Sequence, residues 1–401
     1  MKARGLAVLL VGTILSSNVL AVDTNGTCGT NCSWKIENDV LTVYPTVAGQ
    51  QVVMDNYSNV QTGDEENHYK VRTTAPWGES YQTVTSVVVA DGINTVSDRA
   101  FQGFRNVTSV SMPDTLTTIG NLAFDRMPSL TSVDIPDAVT SIGRAAFQYA
   151  ASIESLNFGE NSQLQTIGGN AFYQASSLAE VNLPSTLKVI GDSAFYYATA
   201  LTSIDLPDGL ETIGMGAFTA TSLGEIKIPD SVKIIGQSAF NQAYAYTDLT
   251  DRIDTIVLSE NLEQIGNKAF SRSTATSIIL PESLFADGRE LNPYAFEYMA
   301  LDTIYCPEGN QKCLSYVPML CLGEDTDFGC DGESEPLSKQ PTFNTYRQDA
   351  NGNYIMNGIR YSSFADMVQN RNAHPMKKIY TVEEAAKASK DTGNTFKLRY
   401  K

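Results

Sequence analysis

Residues 178–195 read LAEVNLPSTLKVIGDSAF, and the two halves of this stretch decide the fold. The first half is Leu178-x-x-Val181-x-Leu183-Pro184. Val181 and Leu183 are two residues apart, so they share one face of a strand, while Glu180 and Asn182 face the other way. Pro184 has no N–H to give to a ladder and ends the strand. The second half is Ile190-Gly191-x-x-Ala194-Phe195. Ile190 is expected to point into a core, and Gly191 to permit a tight turn with positive φ. Ala194-Phe195 is expected on a short returning turn, one turn of helix, with the ring filling the interior.

Both halves recur. Ile-Gly-x-x-Ala-Phe appears seven times, ending at Phe124, Phe147, Phe172, Phe195, Phe218, Phe240 and Phe270, with degenerate copies at Ala100-Phe101 and Ala295-Phe296. The strand half recurs as Leu130-x-x-Val133-x-Ile135-Pro136, Leu201-x-x-Ile204-x-Leu206-Pro207 and Leu223-x-x-Ile226-x-Ile228-Pro229. The spacing from Phe to Phe is 23, 23, 25, 23, 23, 22, 30 and 26 residues. A fixed period of this length is the mark of a solenoid. One unit cannot bury its apolar side chains alone, whereas stacked units bury them against each other. The strands then align as a parallel sheet along one side.

The pattern L-x-x-I-x-I-P…V-x-x-I-G-x-x-A-F resembles the BspA-like leucine-rich repeats of secreted and surface proteins, over about residues 84–307. The resemblance implies a leucine-rich-repeat solenoid, and adhesion or binding of host and cell-surface proteins as its commonest role. The expected fold class is α+β: the solenoid with its parallel sheet, an N-terminal hairpin cap and a small C-terminal α+β module.

The flanks divide into segments. Residues 1–21 read as a signal peptide, with Lys2 and Arg4 before an apolar run and small residues before Val22. That run is too short for a permanent span, and no later stretch is long and apolar enough to be one. Secretion to the outside or the cell surface is expected. Residues 22–83 read as the cap. Trp34-Lys-Ile36 and Leu41-Thr-Val43 make a hairpin, and both tryptophans are expected to cover the apolar end of the core. Residues 308–340 read as a disulfide-closed end followed by an acidic linker, and 341–401 as the separate module. In that module Asn357-Gly358 marks a hairpin turn.

Six cysteines stand outside the central repeats, and proximity favours Cys28–Cys32, Cys306–Cys313 and Cys321–Cys330. A metal site is the competing reading, but the spacings are not CxxC and His68 and His374 are the only histidines. Short loops limit each bridge to about a few kcal/mol.

Net charge is −17, or −19 without Lys2 and Arg4, which disfavours nucleic acid and anionic membranes as partners of the array. Residues 341–401 carry ten Lys or Arg against five Asp or Glu, so attachment to an anionic envelope is expected through that module, or simple capping.

No catalytic or cofactor motif is present: there is no HExxH, P-loop, G-x-S-x-G or placed G-x-G-x-x-G. A non-catalytic binding protein is the expectation, with a structural spacer held by its basic tail as the alternative. The outward strand positions give the candidate contact residues. They are Ser132 and Asp134, Glu180 and Asn182, Ser203 and Asp205, and Glu225 and Lys227. Val257, Ile279 and Tyr305 follow on later strands. These last three form either an apolar contact patch, or a set packed on each other or on the insertion at 241–252.

Overall fold

The computed structural model describes residues 24–61, 71–223, 226–241 and 255–316, apart from isolated positions between 274 and 302. It also describes the strands Thr342–Gln348, Tyr354–Met356 and Ile359–Tyr361. The signal-peptide run, Cys321, Cys330, both histidines, Glu225, most of the insertion after Asn241 and residues 362–401 lie outside them.

Each coil of the solenoid has three sides. The first is the strand that ends at proline, as in Ser132–Ile135, Ser155–Phe158, Glu180–Asn182 and Ser203–Asp205. Val133, Ile135, Leu156, Val181 and Ile204 are buried, while the residues between them face out. The proline carbonyl then accepts a hydrogen bond three residues on, Val139 to Pro136 and Leu187 to Pro184, and turns the chain. The second side is the two-residue strand before the motif glycine, such as Thr118–Ile119, Ser141–Ile142 and Val189–Ile190.

A single parallel sheet was expected, on the first side. The unbroken ladder is on the second side. There nine short strands run in parallel from Val52–Val53 to Gln264–Ile265. The first side is segmented: Ser132–Ile135 pairs with Ser155–Phe158, and Glu180–Asn182 with Ser203–Asp205, as separate parallel pairs.

The third side carries the expected returning turns as a ladder, without the turn of helix. Leu122, Phe124 and Arg126 donate their N–H groups to Arg144, Ala146 and Gln148 of the next coil at 2.8–2.9 Å. The bonds between them, Ala123 to Gly120 and Asp125 to Leu122, stay within the coil. The alternation requires left-handed residues, and Leu122 and Arg126 have φ of 56° and 62°. Ala145 and Tyr149, then Asn170 and Gln174, then Ser193 and Tyr197 repeat this. A non-glycine residue there costs about 1–2 kcal/mol, which the bond to the next coil offsets. The described residues thus form a β-solenoid with little helix, and the helices expected within 341–401 to make the class α+β lie outside them. Among the described residues the α-helix is Gln311–Tyr316, after the repeats.

The motif glycine also has a different role from the one expected. Positive φ falls two residues later, at Ala145 and Ser193, not at Gly143 and Gly191. A Cβ on Gly143 would lie 2.5 Å from the carbonyl carbon of Gly120, and one on Gly191 2.5 Å from the backbone nitrogen of Gly169. Glycine is needed because successive backbones touch there.

Phenylalanine fills the interior as a stack. Phe101, Phe124, Phe147, Phe172, Phe195, Phe218, Phe240 and Phe270 follow one another at 5.1–5.5 Å between ring centres. Trp77 lies over Phe101 at 5.5 Å, and Trp34 meets Trp77 edge-on at 5.9 Å. Both tryptophans are fully buried at this end.

The ends differ in kind from the coils. Cys32–Glu37 and Val40–Pro45 form an antiparallel hairpin whose turn residues Asn38 and Asp39 both have positive φ, as a two-residue turn with right-handed strand twist requires. Val40–Pro45 then pairs in parallel with Ser86–Val89. The Cys28–Cys32 disulfide lies beside it. At the other end, Cys313 on the helix bonds to Cys306 of Thr303–Pro307. Thr342–Gln348 was expected in a separate module. It pairs in parallel with Thr303–Pro307 and extends the array's own sheet. Tyr354–Met356 and Ile359–Tyr361 add an antiparallel hairpin after it.

One buried acid opposes this core. Asp125 is 1% exposed, and its Oδ2 accepts a 2.7 Å hydrogen bond from Gln102 Nε2. Burial pushes its carboxyl up to about 6, against the pull of Gln102, Arg126 and Arg99. The raised value means the folded state prefers the protonated form. Stability from this group is full below about pH 4 and is lost as pH rises through about 6. Asp125→Asn should therefore raise stability at neutral pH by about 2 kcal/mol and flatten the acid-side gain, read from urea midpoints across pH. Gly191→Ala should lower the thermal midpoint with a cost of about 2 kcal/mol or more, because backbone must move to admit the methyl group. An unchanged midpoint would remove close coil contact as the reason for glycine.

Candidate functional site

The outward residues of the first side are arranged in two columns. Parallel register places Ser132 beside Ser155 and Asp134 beside Asn157. It also places Glu180 beside Ser203 and Asn182 beside Asp205. Neighbouring strands of such a ladder stand about 4.8 Å apart. Ser132, Asp134, Asn157, Glu180, Asn182, Ser203, Asp205 and Lys227 are exposed. Asn157 Nδ2 donates to Asp134 Oδ1 at 2.7 Å, which ties two coils together on the surface. Lys227 follows in line through a single bridge to Val257. The structure thus brings the central candidates onto one polar face, carrying Asp134, Glu180 and Asp205 with Lys227 at its far end. Glu225 lies outside the described residues.

The apolar end of the row is closed. Ile279 is 1% exposed and Tyr305 5%, while Val257 is half-buried. The whole strand Ser277–Ile279 is buried on both faces. A run of large apolar side chains on neighbouring strands gains by leaving water; of the two readings, the packed set holds for Ile279 and Tyr305, which are interior, and Val257 is half-buried beside them.

Two further surfaces were not singled out from the sequence. A groove of 390 Å³ is lined by Lys188, Glu211, Lys233, Glu263 and Arg289, one per coil and alternating in sign, with Asp208 and Asp230 beside them. Lys233 reaches Glu211 at 3.5 Å and Arg289 reaches Glu263 at 3.3 Å. These charges largely satisfy one another. The second is a line of aromatic side chains on the turn side. Tyr149, Tyr173, Tyr196 and Tyr197 contact one another in sequence, and the Arg126 guanidinium sits over the Tyr149 ring. Its signal was present in the sequence: each tyrosine falls one or two residues after a motif phenylalanine.

Among the described residues no group of three or more His, Cys, Asp or Glu is placed to hold a metal ion. Among them, too, no helix is long and apolar enough to cross a membrane.

No curated protein matches the chain. Among solved structures it is similar to a leucine-rich repeat protein from Bacteroides ovatus, at 19% identity and a TM-score of 0.42, over 70% of this chain and 82% of that one. A leucine rich cell surface protein from Faecalibacterium prausnitzii has 18% identity and a TM-score of 0.36, over 77% and 100% of the two chains. The leucine-rich repeat protein of T. pallidum has 25% identity and a TM-score of 0.36, over 50% and 92%. The family model for the BspA type leucine rich repeat region matches six copies, over residues 79–198, 123–247 and 242–317. These matches span more than half of the chain, which belongs to the BspA-type leucine-rich-repeat family.

Proposed function

We propose that this chain is a secreted or surface-attached, non-catalytic protein that binds another protein or cell-surface macromolecule through the outward face of its first strands. One observation carries the reading. Inward positions of the strands at 132–135, 180–182 and 203–205 are apolar and buried, whereas their outward positions carry polar and charged side chains, Asp134, Glu180 and Asp205 among them, and stay exposed. Ser132, Asp134, Glu180, Asn182, Ser203, Asp205 and Lys227 are held in rank by backbone pairing and are not needed for the core. A sheet that presents a fixed row of polar groups is preorganised for contact with a macromolecule, because little backbone freedom remains to be lost on binding. The signal-peptide reading of residues 1–21 and the two disulfides agree with export to an oxidising compartment.

The test is a pull-down with residues 22–401 against extracellular-matrix and cell-surface extracts, alongside Asp134→Lys/Asp205→Lys/Lys227→Glu. Saturable capture of a partner is expected, weakened at least about tenfold in the folded variant. Capture that the variant leaves unchanged would move the contact off this face. No capture at micromolar protein would favour the spacer role.

A further inference from the structure

The residue before each second-side strand is held in register by the backbone ladder. Glu211, Lys233 and Glu263 donate their N–H groups to Lys188, Glu211 and Lys233 at 2.8–2.9 Å, so each coil sets one side chain in the groove. Earlier coils carry Thr117, Thr140 and Gln165 in this column, held by the same bonds. The fold therefore needs no charge there. In the later coils Lys188, Glu211, Lys233 and Glu263 nevertheless alternate in sign, and Arg289 continues the series.

These groups hold one another and keep bonding capacity to spare. Lys233 lies 3.5 Å from Glu211 and Arg289 lies 3.3 Å from Glu263, with all four side chains between 32% and 50% exposed. Lys188 donates to the Gly209 carbonyl at 3.2 Å. A carboxylate, an ammonium and a guanidinium each have more hydrogen-bonding positions than one ion pair occupies. Ser283, also in the wall, has a buried hydroxyl with no hydrogen-bond partner among the described residues.

Charge, polarity and spacing select the occupant. Asp208 and Asp230 beside the alternating row bring the groove close to neutrality, so neither a polyanion nor a polycation gains by entering it. Among the described residues no apolar side chain lines it, so a lipid or an aromatic ring finds nothing to pack on. Successive phenylalanine rings behind the groove are 5.1–5.5 Å apart, which gives the advance per coil. An extended peptide turns a side chain to the same face every second residue, about 6.6 Å, and falls out of step within a few coils. A chain of equatorially linked pyranose rings advances by nearly one coil per ring. Its hydroxyl groups both donate and accept, so one ring can give a hydrogen to a carboxylate and take one from the neighbouring ammonium or guanidinium.

We propose that the groove along Lys188, Glu211, Lys233, Glu263 and Arg289 binds a neutral, equatorially linked oligosaccharide, with a sugar facing each coil. It lies at the start of the second side, away from the outward face of the first strands, and does not depend on that face having a partner.

The experiment is isothermal titration calorimetry of the full chain with cellohexaose, with maltohexaose, whose linkage is axial and whose chain curls, as the comparison. Saturable binding of cellohexaose is expected, little changed by salt because the ligand carries no charge. Lys233→Ala/Glu263→Ala should weaken it at least about tenfold, and Glu263→Gln, which keeps an acceptor, should fall between. Circular dichroism melts verify that the variants fold. The variant Asp134→Lys/Asp205→Lys/Lys227→Glu should bind the sugar as the parent does, so failure of one surface is distinguishable from failure of the other. No saturation at millimolar cellohexaose, or equal binding by the double variant, would overturn the site. Equal affinity for maltohexaose would overturn the match between ring and coil on which the choice of occupant rests.

Discussion

The distance between successive backbones governs every other feature of this array. At Gly143 and Gly191 the coils approach until no Cβ fits between them. That contact lets backbone hydrogen bonds run from coil to coil on all three sides. It also brings the phenylalanine rings to 5.1–5.5 Å from centre to centre, within the range where offset stacking is attractive. Loosening one glycine contact would strain the ladder beside it and the rings behind it together, since each coil has neighbours only along the axis.

Much of this was legible in residues 178–195. Period-two alternation places Val181 inward and Glu180 and Asn182 outward, and the fixed spacing of phenylalanine gives the stack. The role of the motif glycine was not legible, because positive φ and steric exclusion select the same residue. Only the backbone angles separate them, and they assign the left-handed conformation to Ala145 and Ser193. The returning turn was legible, but not that it is free of helix. Ala-Phe favours helix by local propensity, but alternate N–H groups do better by bonding to the next coil.

The candidate face was legible only in part. Alternation locates outward positions, and Ser132, Asp134, Ser203 and Asp205 are where it puts them. It does not report what lies over a strand, so it left open whether Ile279 and Tyr305 were surface or packed, and both are interior. The tyrosines of the turn side were overlooked for the opposite reason. They interrupt no core pattern, and their grouping emerges only when residues about 23 apart in sequence are brought into contact.

The antiparallel hairpins at the two ends bear on what the molecule does in company. A stack of parallel coils is open at both ends, and each open end is a template on which another copy can continue the ladder. Here the first outer strand, Asn25–Thr27, is three residues long and polar, and it runs antiparallel to its neighbour. At the far end the chain also reverses direction, through Tyr354–Met356 and Ile359–Tyr361. The two reversals at each end return the outermost described strand to the direction of the coils, but Asn25–Thr27 and Ile359–Tyr361 are only three residues long, so an incoming coil would find little backbone to pair with. The array can therefore lengthen by gaining repeats within one chain, while end-to-end pairing of copies is discouraged at the described edges by the shortness of their outer strands.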